Sequence, residues 1–357
     1  MQNGIENRLG GKGSRGLMAA GWLIVIAISL VLIRVGKDLF IPLVIALIGV
    51  YLIKILERWI GYIKISGRGL PPVAALALAF AAVIGLSFVL FSIIADNAVR
   101  VAEFAPRYQI RLLAIQSDLF RTIGFEEPPA IRQFFGGFDL PGTLALVAMN
   151  LATLLRNAIL ILIFGVFLLL EAQFIPTKIA AIFPDANRRA LVQGILKRVD
   201  RDIQTYFGVK TLVSLITAIL SYAVMKFVDL DFAAFWALLV FILNFIPTIG
   251  SIIATILPGL LALVQFEEWR PVLILVVGIT LIQQLLGNII EPNLMGITLN
   301  LSPLVVVMSL ILWGMLWGVV GMFLCVPITV ILLIILANFP STNWVAVLLS
   351  KDGVIQR

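Results

Sequence analysis

The sequence predicts an all-α polytopic membrane protein with about eight hydrophobic segments, and three observations support this fold class. Of the 357 residues, 61% are apolar and 13% are charged, whereas soluble domains average roughly 45–50% apolar and 25% charged. The mean hydropathy is +1.12. Apolar runs long enough to cross about 30 Å of hydrocarbon recur along the chain. So little charge cannot cover a water-facing surface, and the main solvent of the chain must therefore be lipid.

The N-terminal quarter is predicted to form a cytoplasmic tail, residues 1–16, and three membrane spans within residues 17–95. Basic side chains precede the first span and follow the second. Because loops rich in Lys and Arg stay on the cytoplasmic side, both flanks and the N-terminus are expected there. No cleavage site follows the first apolar run, which is therefore expected to be an uncleaved span and not a signal peptide.

Residues 96–143 have an ordinary soluble composition and are predicted to form an extracytoplasmic helical module. Tyr108, Leu112, Ile115 and Leu119 recur at helical spacing and form one apolar face. That face packs either on the protein's own core or against another subunit, and the pattern leaves both open.

A fourth span is predicted at residues 144–170, where Arg156 either reaches the membrane surface or has a functional role. Residues 171–210 follow as a basic amphipathic helix that is expected to lie along the cytoplasmic membrane face. Its candidate membrane-surface residues are Arg188, Arg189, Lys197, Arg198 and Arg201.

Residues 211–340 are predicted to form a transport core, followed by a C-terminal tail at residues 341–357. Within the core, the nearly charge-free run 232–264 is too long for one span, because that many helical residues would extend about 50 Å. The run is interrupted by Asn244, Pro247, Thr248, Gly250 and Ser251. Proline removes a backbone donor and glycine permits non-helical angles, so the helix is expected to break there.

A second apolar run, residues 302–337, contains Gly314, Gly318, Gly321 and Pro327. These residues mark either a second helix break or a site of close helix packing. Two interrupted segments of similar length are typical of secondary transporters, whose discontinuous helices contact a solute or an ion. Whether each segment spans the membrane or re-enters from one side is left open.

Between the interrupted segments a helix carries amide and carboxylate side chains at Gln283, Gln284, Asn288 and Glu291, followed by Pro292. The spacing of Gln284, Asn288 and Glu291 predicts that the three share one helical face. Glu291 is the one acidic or basic side chain of residues 272–349. A carboxylate at membrane depth is expected to carry a proton or bind a cation, while a position in the headgroup layer is the alternative.

The residue inventory excludes several classes of function. With no histidine and a single cysteine, Cys325, the chain has no Ser-His or Cys-His nucleophile pair, no intrachain disulfide and no usual zinc site. Residues 10–13 resemble a phosphate-binding loop only faintly, because the first glycine and the final Ser or Thr are missing. No enzyme, cofactor or metal site is therefore expected. The net charge of +7 indicates loops facing anionic lipid and not nucleic acid.

The ordered motifs of the C-terminal half resemble the autoinducer-2 exporter (AI-2E) family of bacterial permeases, in particular its quorum-sensing-signal transport branch. The motifs are Asn244 to Ser251, Gly287 to Pro292, Met295-Gly296 with Leu301 to Pro303, and Trp313 to Pro327. The resemblance implies an inner-membrane secondary transporter that assembles as a homo-oligomer and exports autoinducer-2 (AI-2). For some relatives it also implies exchange of sodium or lithium against protons.

The sequence supports three hypotheses about function. In the first, the chain is a permease in which Glu291 carries a coupling proton and a small polar solute binds to Asn244, Thr248, Ser251, Gln284 and Asn288. In the second, it is a Na⁺(Li⁺)/H⁺ antiporter. In the third, it is an oligomeric membrane scaffold or passive pore held together through residues 96–143. The lipid bilayer is a partner in all three.

Overall fold

The computed structural model describes residues 27–62, 68–86, 157–295 and 300–354, with a few further residues at 21–25, 64–65 and 88–97. The predicted tail at 1–16, the module at 96–143, Arg156 and Gly296 lie outside the described residues.

The described part of the chain is almost entirely helical. The helices of its first half are α1 (27–35), α2 (Lys37–Gly61), α3 (Pro72–Leu86), α4 (Ala158–Ala172) and α5 (Ile175–Ile182). Two-residue strands β1 (Lys64–Ile65) and β2 (Arg68–Gly69) pair antiparallel between α2 and α3. The remaining helices are α6 (Ala186–Phe227), α7 (Ala233–Leu243), α8 (Ile249–Gln265), α9 (Trp269–Met295), α10 (Pro303–Ala337) and α11 (Asn343–Leu349).

The lengths and composition of these helices confirm the all-α membrane fold. Among the described helices, α2, α6 and α9 are long and apolar enough to cross a bilayer, and α10 is so by its total length and composition. The pair α4 and α5, bent by 59°, makes one further span if counted as one. Each predicted hydrophobic segment contains at least one helix. Large apolar side chains such as Leu281 and Met315 are 63% and 75% exposed. Extensive exposed apolar surface suits a lipid environment and not water.

Helix α6 joins the predicted amphipathic segment and the following span into one helix of 42 residues. It begins after Asp185, whose carboxylate caps the helix by accepting a hydrogen bond from the Arg188 amide at 2.9 Å. Its buried face recurs every three or four residues and packs against α2, α7 and α9. That face includes Ile203, Tyr206, Lys210, Val213, Ser214, Thr217 and Ser221.

Helices α7 and α8 form a hairpin that enters and leaves on one side, and we call residues 232–265 the first hairpin. The Gln265 side chain at the end of α8 donates to the Asp229 carbonyl and accepts from the Asp231 amide, both at 2.8 Å. The two ends of the segment are therefore adjacent. Helix α7 has 11 residues and is about 16 Å long, too short to cross about 30 Å of hydrocarbon.

Helix α10 also reverses its direction, at Gly318, and we call residues 303–337 the second hairpin. Gly318 has φ 62° and ψ −139°, outside the helical region. A straight helix of 35 residues would be about 52 Å long. Yet the Ser302 amide before α10 donates to the Leu349 carbonyl at the end of α11 at 3.0 Å. Because the short α11 cannot cover the length of a straight helix, the two arms of α10 must fold back on each other.

The tips of the two hairpins, residues 244–251 and 314–321, meet. Helix α9 has 27 residues, is about 40 Å long, and leads from the open end of the first hairpin towards that of the second. The hairpins therefore open on opposite sides of the molecule. Phe245 in the first tip stacks on Phe323 beside the second, with ring centroids 4.5 Å apart and planes at 21°. The prediction of interrupted helices in the C-terminal half is confirmed, and in both segments the interruption is a re-entrant turn.

Two apolar clusters hold these helices together. The first lies among α6, the first hairpin and α9 and contains the fully buried side chains of Trp236 and Ile279. The second joins α2 and α6 to both hairpins and contains Phe245 and Trp317. Trp317 also donates from Nε1 to the Ile33 carbonyl of α1 at 3.0 Å. Close packing of this kind is the main force between helices in lipid, and here it positions both tips.

Candidate transport site

The tip of the first hairpin gathers the polar residues that were predicted to break the helix. Asn244 ends α7, and its Nδ2 atom donates to Oγ of buried Ser214 on α6 at 2.9 Å. The hydroxyls of Thr248 and Ser251 donate to the carbonyls of Pro247 and Thr248, each at 2.8 Å. Both hydroxyl oxygens keep lone pairs that can accept a hydrogen bond from a solute.

The backbone of the first tip is a tight and unusual turn. Thr248 has φ 55°, a left-handed conformation that is rare for a β-branched residue. A Cβ atom on Gly250 would lie 1.8 Å from the Leu243 carbonyl oxygen, so only glycine fits there. The Gly250 amide donates to the Ile246 carbonyl at 3.2 Å within the same turn. Because backbone strain clusters at functional sites, this turn is a candidate contact for the transported solute.

The second tip is built by glycines in a similar way. A Cβ atom on Gly321 would lie 1.9 Å from the Trp313 carbonyl oxygen, and one on Gly314 would lie 3.0 Å from a methionine side chain. Gly318 supplies the reversal between them. Pro327 is buried farther along, in the second arm of α10. The glycines therefore serve both as a helix break and as points of close backbone approach.

Helix α9 widens into a π-helical turn at Leu286–Ile290. The Glu291 amide directly after it donates to the Leu286 carbonyl, five residues back. Pro292 follows, and a proline has no amide hydrogen and clashes with the carbonyl four residues before it. The wider turn relieves that clash. Such turns inside α-helices are frequent at functional sites.

The π turn divides the polar side chains that were predicted to share one face. Asn288 donates to Gln284, and both side chains are exposed. Gln283 accepts from Thr255 Oγ1 of α8 at 3.1 Å, which connects α9 to the first hairpin. Glu291 is directed into the protein, with its side chain only 14% exposed. The structure thus brings Gln284 and Asn288 together and places Glu291 elsewhere.

Glu291 forms an ion pair with Lys210 of α6. The Lys210 Nζ atom lies 2.7 Å from Glu291 Oε1, and the two side chains are 9% and 14% exposed. The carboxylate therefore has a counter-charge within the apolar region. Removing either partner would leave a charge in surroundings of low dielectric constant. Among the described residues, no group of acidic or cysteine side chains is arranged to hold a metal ion.

Lys210 is absent from the site residues predicted above, although its position contains a signal. It lies four residues after Tyr206 and four before Ser214, and both of these side chains are buried. A lysine on a buried helical stripe needs an acidic partner, because lysine is almost never fully buried unless paired. Glu291 is the one carboxylate of residues 272–349, which makes it a candidate partner, but the pairing itself depends on how α6 and α9 pack.

The basic residues predicted at the membrane surface all lie on the first half of α6. Arg188, Lys197 and Arg201 are exposed, while Arg189 and Arg198 are half-buried. Arg198 and Arg201 lie 3.6 Å and 3.3 Å from the carboxylate of Asp202, which is 2% exposed. Two of the five residues therefore neutralise a buried acid of their own helix.

Comparison with known proteins identifies the family. The sequence model of the AI-2E transporter family matches residues 23–341 of this chain. The AI-2 transport protein TqsA of Escherichia coli (strain K12) is 31% identical in an alignment of length 348 that covers 95% of this chain and 96% of TqsA. A putative transport protein of Haemophilus influenzae is 31% identical over 79% of this chain and 83% of its own length. The putative transport protein YrrI of Bacillus subtilis is 26% identical over 85% and 87%.

These matches extend well beyond the C-terminal motifs. The family model covers α2, both hairpins, the π turn and the Lys210–Glu291 pair. Helices able to cross a bilayer and re-entrant hairpins agree with a transport protein. The chain therefore belongs to the AI-2E transporter family and is a multi-pass permease of the inner membrane.

Proposed function

We propose that the chain exports AI-2, or a closely similar small polar solute, across the inner membrane. The observation that carries this proposal is the 31% identity to the E. coli AI-2 transport protein over 95% of the chain. A match over nearly the full length of both proteins favours a shared transport activity. The two re-entrant hairpins support it, because broken helices at membrane depth are where secondary transporters bind their solutes.

The proposed solute site lies at the tip of the first hairpin, at Asn244, Thr248 and Ser251. Their amide and hydroxyl groups offer both donors and acceptors, which suits a solute rich in hydroxyl groups. A solute at this point would also contact the second hairpin, because Phe245 and Phe323 stack between the tips. The side chains of Gln283, Gln284 and Asn288 on α9 are proposed as further polar contacts along the pathway, and Pro247, Gly250 and Pro292 as the residues that shape it.

We assign the coupling proton to Glu291, and its ion pair with Lys210 supports this role. A proton on Glu291 removes the negative charge that holds the Lys210 ammonium at 2.7 Å. Protonation would therefore weaken the contact between α6 and the π-helical end of α9. In this proposal the proton acts on a contact between two helices, and the coupling depends on Lys210 as well as on Glu291.

The chain is proposed to have a cytoplasmic N-terminus and to function as a homo-oligomer. The basic segments that flank the first two spans support the orientation. The resemblance of the C-terminal motifs to the AI-2E family supports the homo-oligomer.

Transport of AI-2 from proteoliposomes tests the proposed substrate. Vesicles loaded with AI-2 are expected to release it faster with the protein than without, at a rate that saturates with concentration. Asn244→Ala is expected to lower the rate several-fold, because it removes one hydrogen-bonding group. Asn338→Ala is the matched control, since the Asn338 side-chain amide donates to the Ile334 carbonyl at the C-terminal end of α10. If folded wild-type protein releases no more AI-2 than empty vesicles, the substrate is wrong.

The same vesicles distinguish the alternative functions. An antiporter would move protons in response to sodium with no AI-2 present. A passive pore would release AI-2 at a rate that rises linearly with concentration.

The role of Glu291 in the proposed function is tested by substitution. Glu291→Gln is expected to abolish the pH dependence of AI-2 release. A variant that keeps both the flux and its pH dependence would show that Glu291 carries no coupling proton.

A further inference from the structure

A cavity of about 400 Å³ lies between the last turns of α2 and the start of α3. Its polar wall comes from Lys54, Glu57 and Arg58, and its apolar wall includes Leu70 and Ala75. This volume is within the range of small-ligand pockets, roughly 300–1,000 Å³. None of the lining residues belongs to either hairpin, so the proposed solute site does not account for the cavity.

The three charged residues of the cavity share one face of α2. Lys54 and Glu57 are three residues apart and Lys54 and Arg58 four, which aligns them along the helix. Within the described part of the chain, none of the three forms an ion pair or a side-chain hydrogen bond with another residue. Two cations and one carboxylate therefore line the cavity with their hydrogen-bonding capacity available to a ligand.

The residues around the cavity indicate that it lies at the level of the lipid headgroups. Helix α2 is one of the helices able to cross a bilayer, and the cavity lies at its end. Trp59 and Tyr62 on this end are 54% and 82% exposed. Exposed Trp and Tyr mark the boundary between membrane and water. The apolar wall at Leu70 and Ala75 is suited to the glycerol backbone and first acyl carbons of a lipid.

We propose that this cavity binds the headgroup of an aminophospholipid. Lys54 and Arg58 hold the phosphate, and the guanidinium of Arg58 can offer two parallel N–H groups to its oxygens. Glu57 accepts hydrogen bonds from the primary ammonium of an ethanolamine headgroup. Lysine and arginine alone would attract any anionic lipid. The carboxylate between them selects a headgroup with a positive charge, and it favours ethanolamine over choline because the quaternary nitrogen of choline has no hydrogen to donate.

Lipid retention by the full chain tests this assignment. The protein is reconstituted in nanodiscs of equal parts phosphatidylethanolamine, phosphatidylglycerol and phosphatidylcholine. The protein is then released from the nanodiscs in the mass spectrometer, and the lipids that stay bound to it are identified by native mass spectrometry. Wild-type protein is expected to retain phosphatidylethanolamine several-fold above the other two. The double substitution Lys54→Gln with Arg58→Gln is expected to lose this retention. Lys37→Gln, at the opposite end of α2, is the matched control and is expected to retain the lipid normally.

Two further variants keep the test decisive. Glu57→Gln is expected to shift the preference from phosphatidylethanolamine to phosphatidylglycerol, because the partner of the ammonium is lost. If the double variant fails to fold, Arg58→Lys takes its place, because this substitution keeps the positive charge. It is expected to weaken lipid retention, because lysine lacks the paired N–H groups of arginine. Equal retention of all three lipids, or an unchanged preference in Glu57→Gln, would overturn the proposal.

A soluble competitor separates a lipid from a free phosphate diester. Glycerophosphoethanolamine carries the same headgroup without acyl chains. It is expected to leave bound phosphatidylethanolamine in place, because the apolar wall contributes to binding only when the acyl chains are present. Displacement of the lipid by this compound at millimolar concentration would instead assign the cavity to a soluble ligand.

Discussion

Lys210 of α6 and Glu291 of α9 form a buried ion pair, with Nζ and Oε1 2.7 Å apart. The two residues are separated by 81 positions in the sequence. Burying each charge costs several kcal/mol, and the mutual attraction offsets that cost only while both partners are present. The pair therefore affects stability as well as the proposed proton coupling, and the two roles can be separated by mutation.

Removing one partner of this pair is expected to destabilise the protein more than removing both. Lys210→Met or Glu291→Leu leaves one buried charge unpaired, which costs about 3–5 kcal/mol. The double variant leaves two apolar side chains and is expected to recover most of that loss. Melting temperatures in detergent measure the stabilities, and AI-2 release from vesicles measures the function.

The two readouts separate a structural role from a coupling role. We expect the double variant to be stable but to lack pH-dependent transport. A double variant as unstable as the single ones would argue against a direct interaction. A stable double variant that transports with wild-type pH dependence would show that the pair is a structural contact with no role in coupling.

Gly250→Ala is expected to disrupt the first hairpin. A Cβ atom at this position would lie 1.8 Å from the Leu243 carbonyl oxygen, and a backbone atom cannot move aside without opening the turn. We expect a lower melting temperature and loss of AI-2 release. Gly49→Ala in α2 is the matched control, because nothing lies within 4 Å of the added atom and alanine favours a helix by roughly 0.5–1 kcal/mol. Equal effects of the two substitutions would contradict the tight turn.

Gln265 is expected to hold the open end of the first hairpin together. Gln265→Leu removes the hydrogen bonds to the Asp229 carbonyl and the Asp231 amide, at a cost of roughly 1–3 kcal/mol. Gln265→Glu retains the acceptor for the Asp231 amide but sets a carboxylate oxygen against the Asp229 carbonyl, so a loss of similar size is expected. Hydrogen exchange of the amides at residues 229–232 reports the opening directly. Unchanged exchange in Gln265→Leu would show that this contact does not hold the ends.

Pro292→Ala is expected to reduce transport and also to lower the melting temperature, because it breaks the buried ion pair of Glu291 with Lys210. Alanine restores an amide hydrogen and removes the ring clash, so the π turn at Leu286–Ile290 can relax to a regular α-helix. Conversion of the π turn to a regular α-helical turn would rotate Glu291 by about 100° around the helix axis, away from Lys210. Pro42→Ala, which removes the helix-interior proline of α2, serves as the control. Wild-type transport by Pro292→Ala would mean that the π turn has no role in it.

The fold class and the helix breaks could be predicted from the sequence because their causes are local. Composition alone identifies lipid as the solvent. A proline lacks its amide wherever it occurs, and glycine permits non-helical angles wherever it occurs. The break at Asn244 to Ser251 was therefore predicted from a short stretch of residues, whereas for Gly314 to Gly321 the sequence left a helix break and close helix packing open.

The polar face of α9 shows where such local reasoning fails. Regular helical spacing places Gln284, Asn288 and Glu291 together, but the π turn adds a residue and directs Glu291 inward. That turn forms within the packing of α9 against α6 and α8. Periodicity assumes a uniform helix, so it cannot anticipate a local change of helix type.

By itself, the sequence determined that this chain is a helical membrane protein of a transporter family, and that the first interrupted segment breaks at Asn244 to Ser251. Only the tertiary structure decided that the breaks are reversals, that the two tips meet at Phe245 and Phe323, and that Glu291 is paired with Lys210. The physical reason is the distance along the chain over which each kind of interaction acts. Backbone chemistry acts within a few residues, whereas a reversal and an ion pair across 81 residues depend on how whole helices pack against one another.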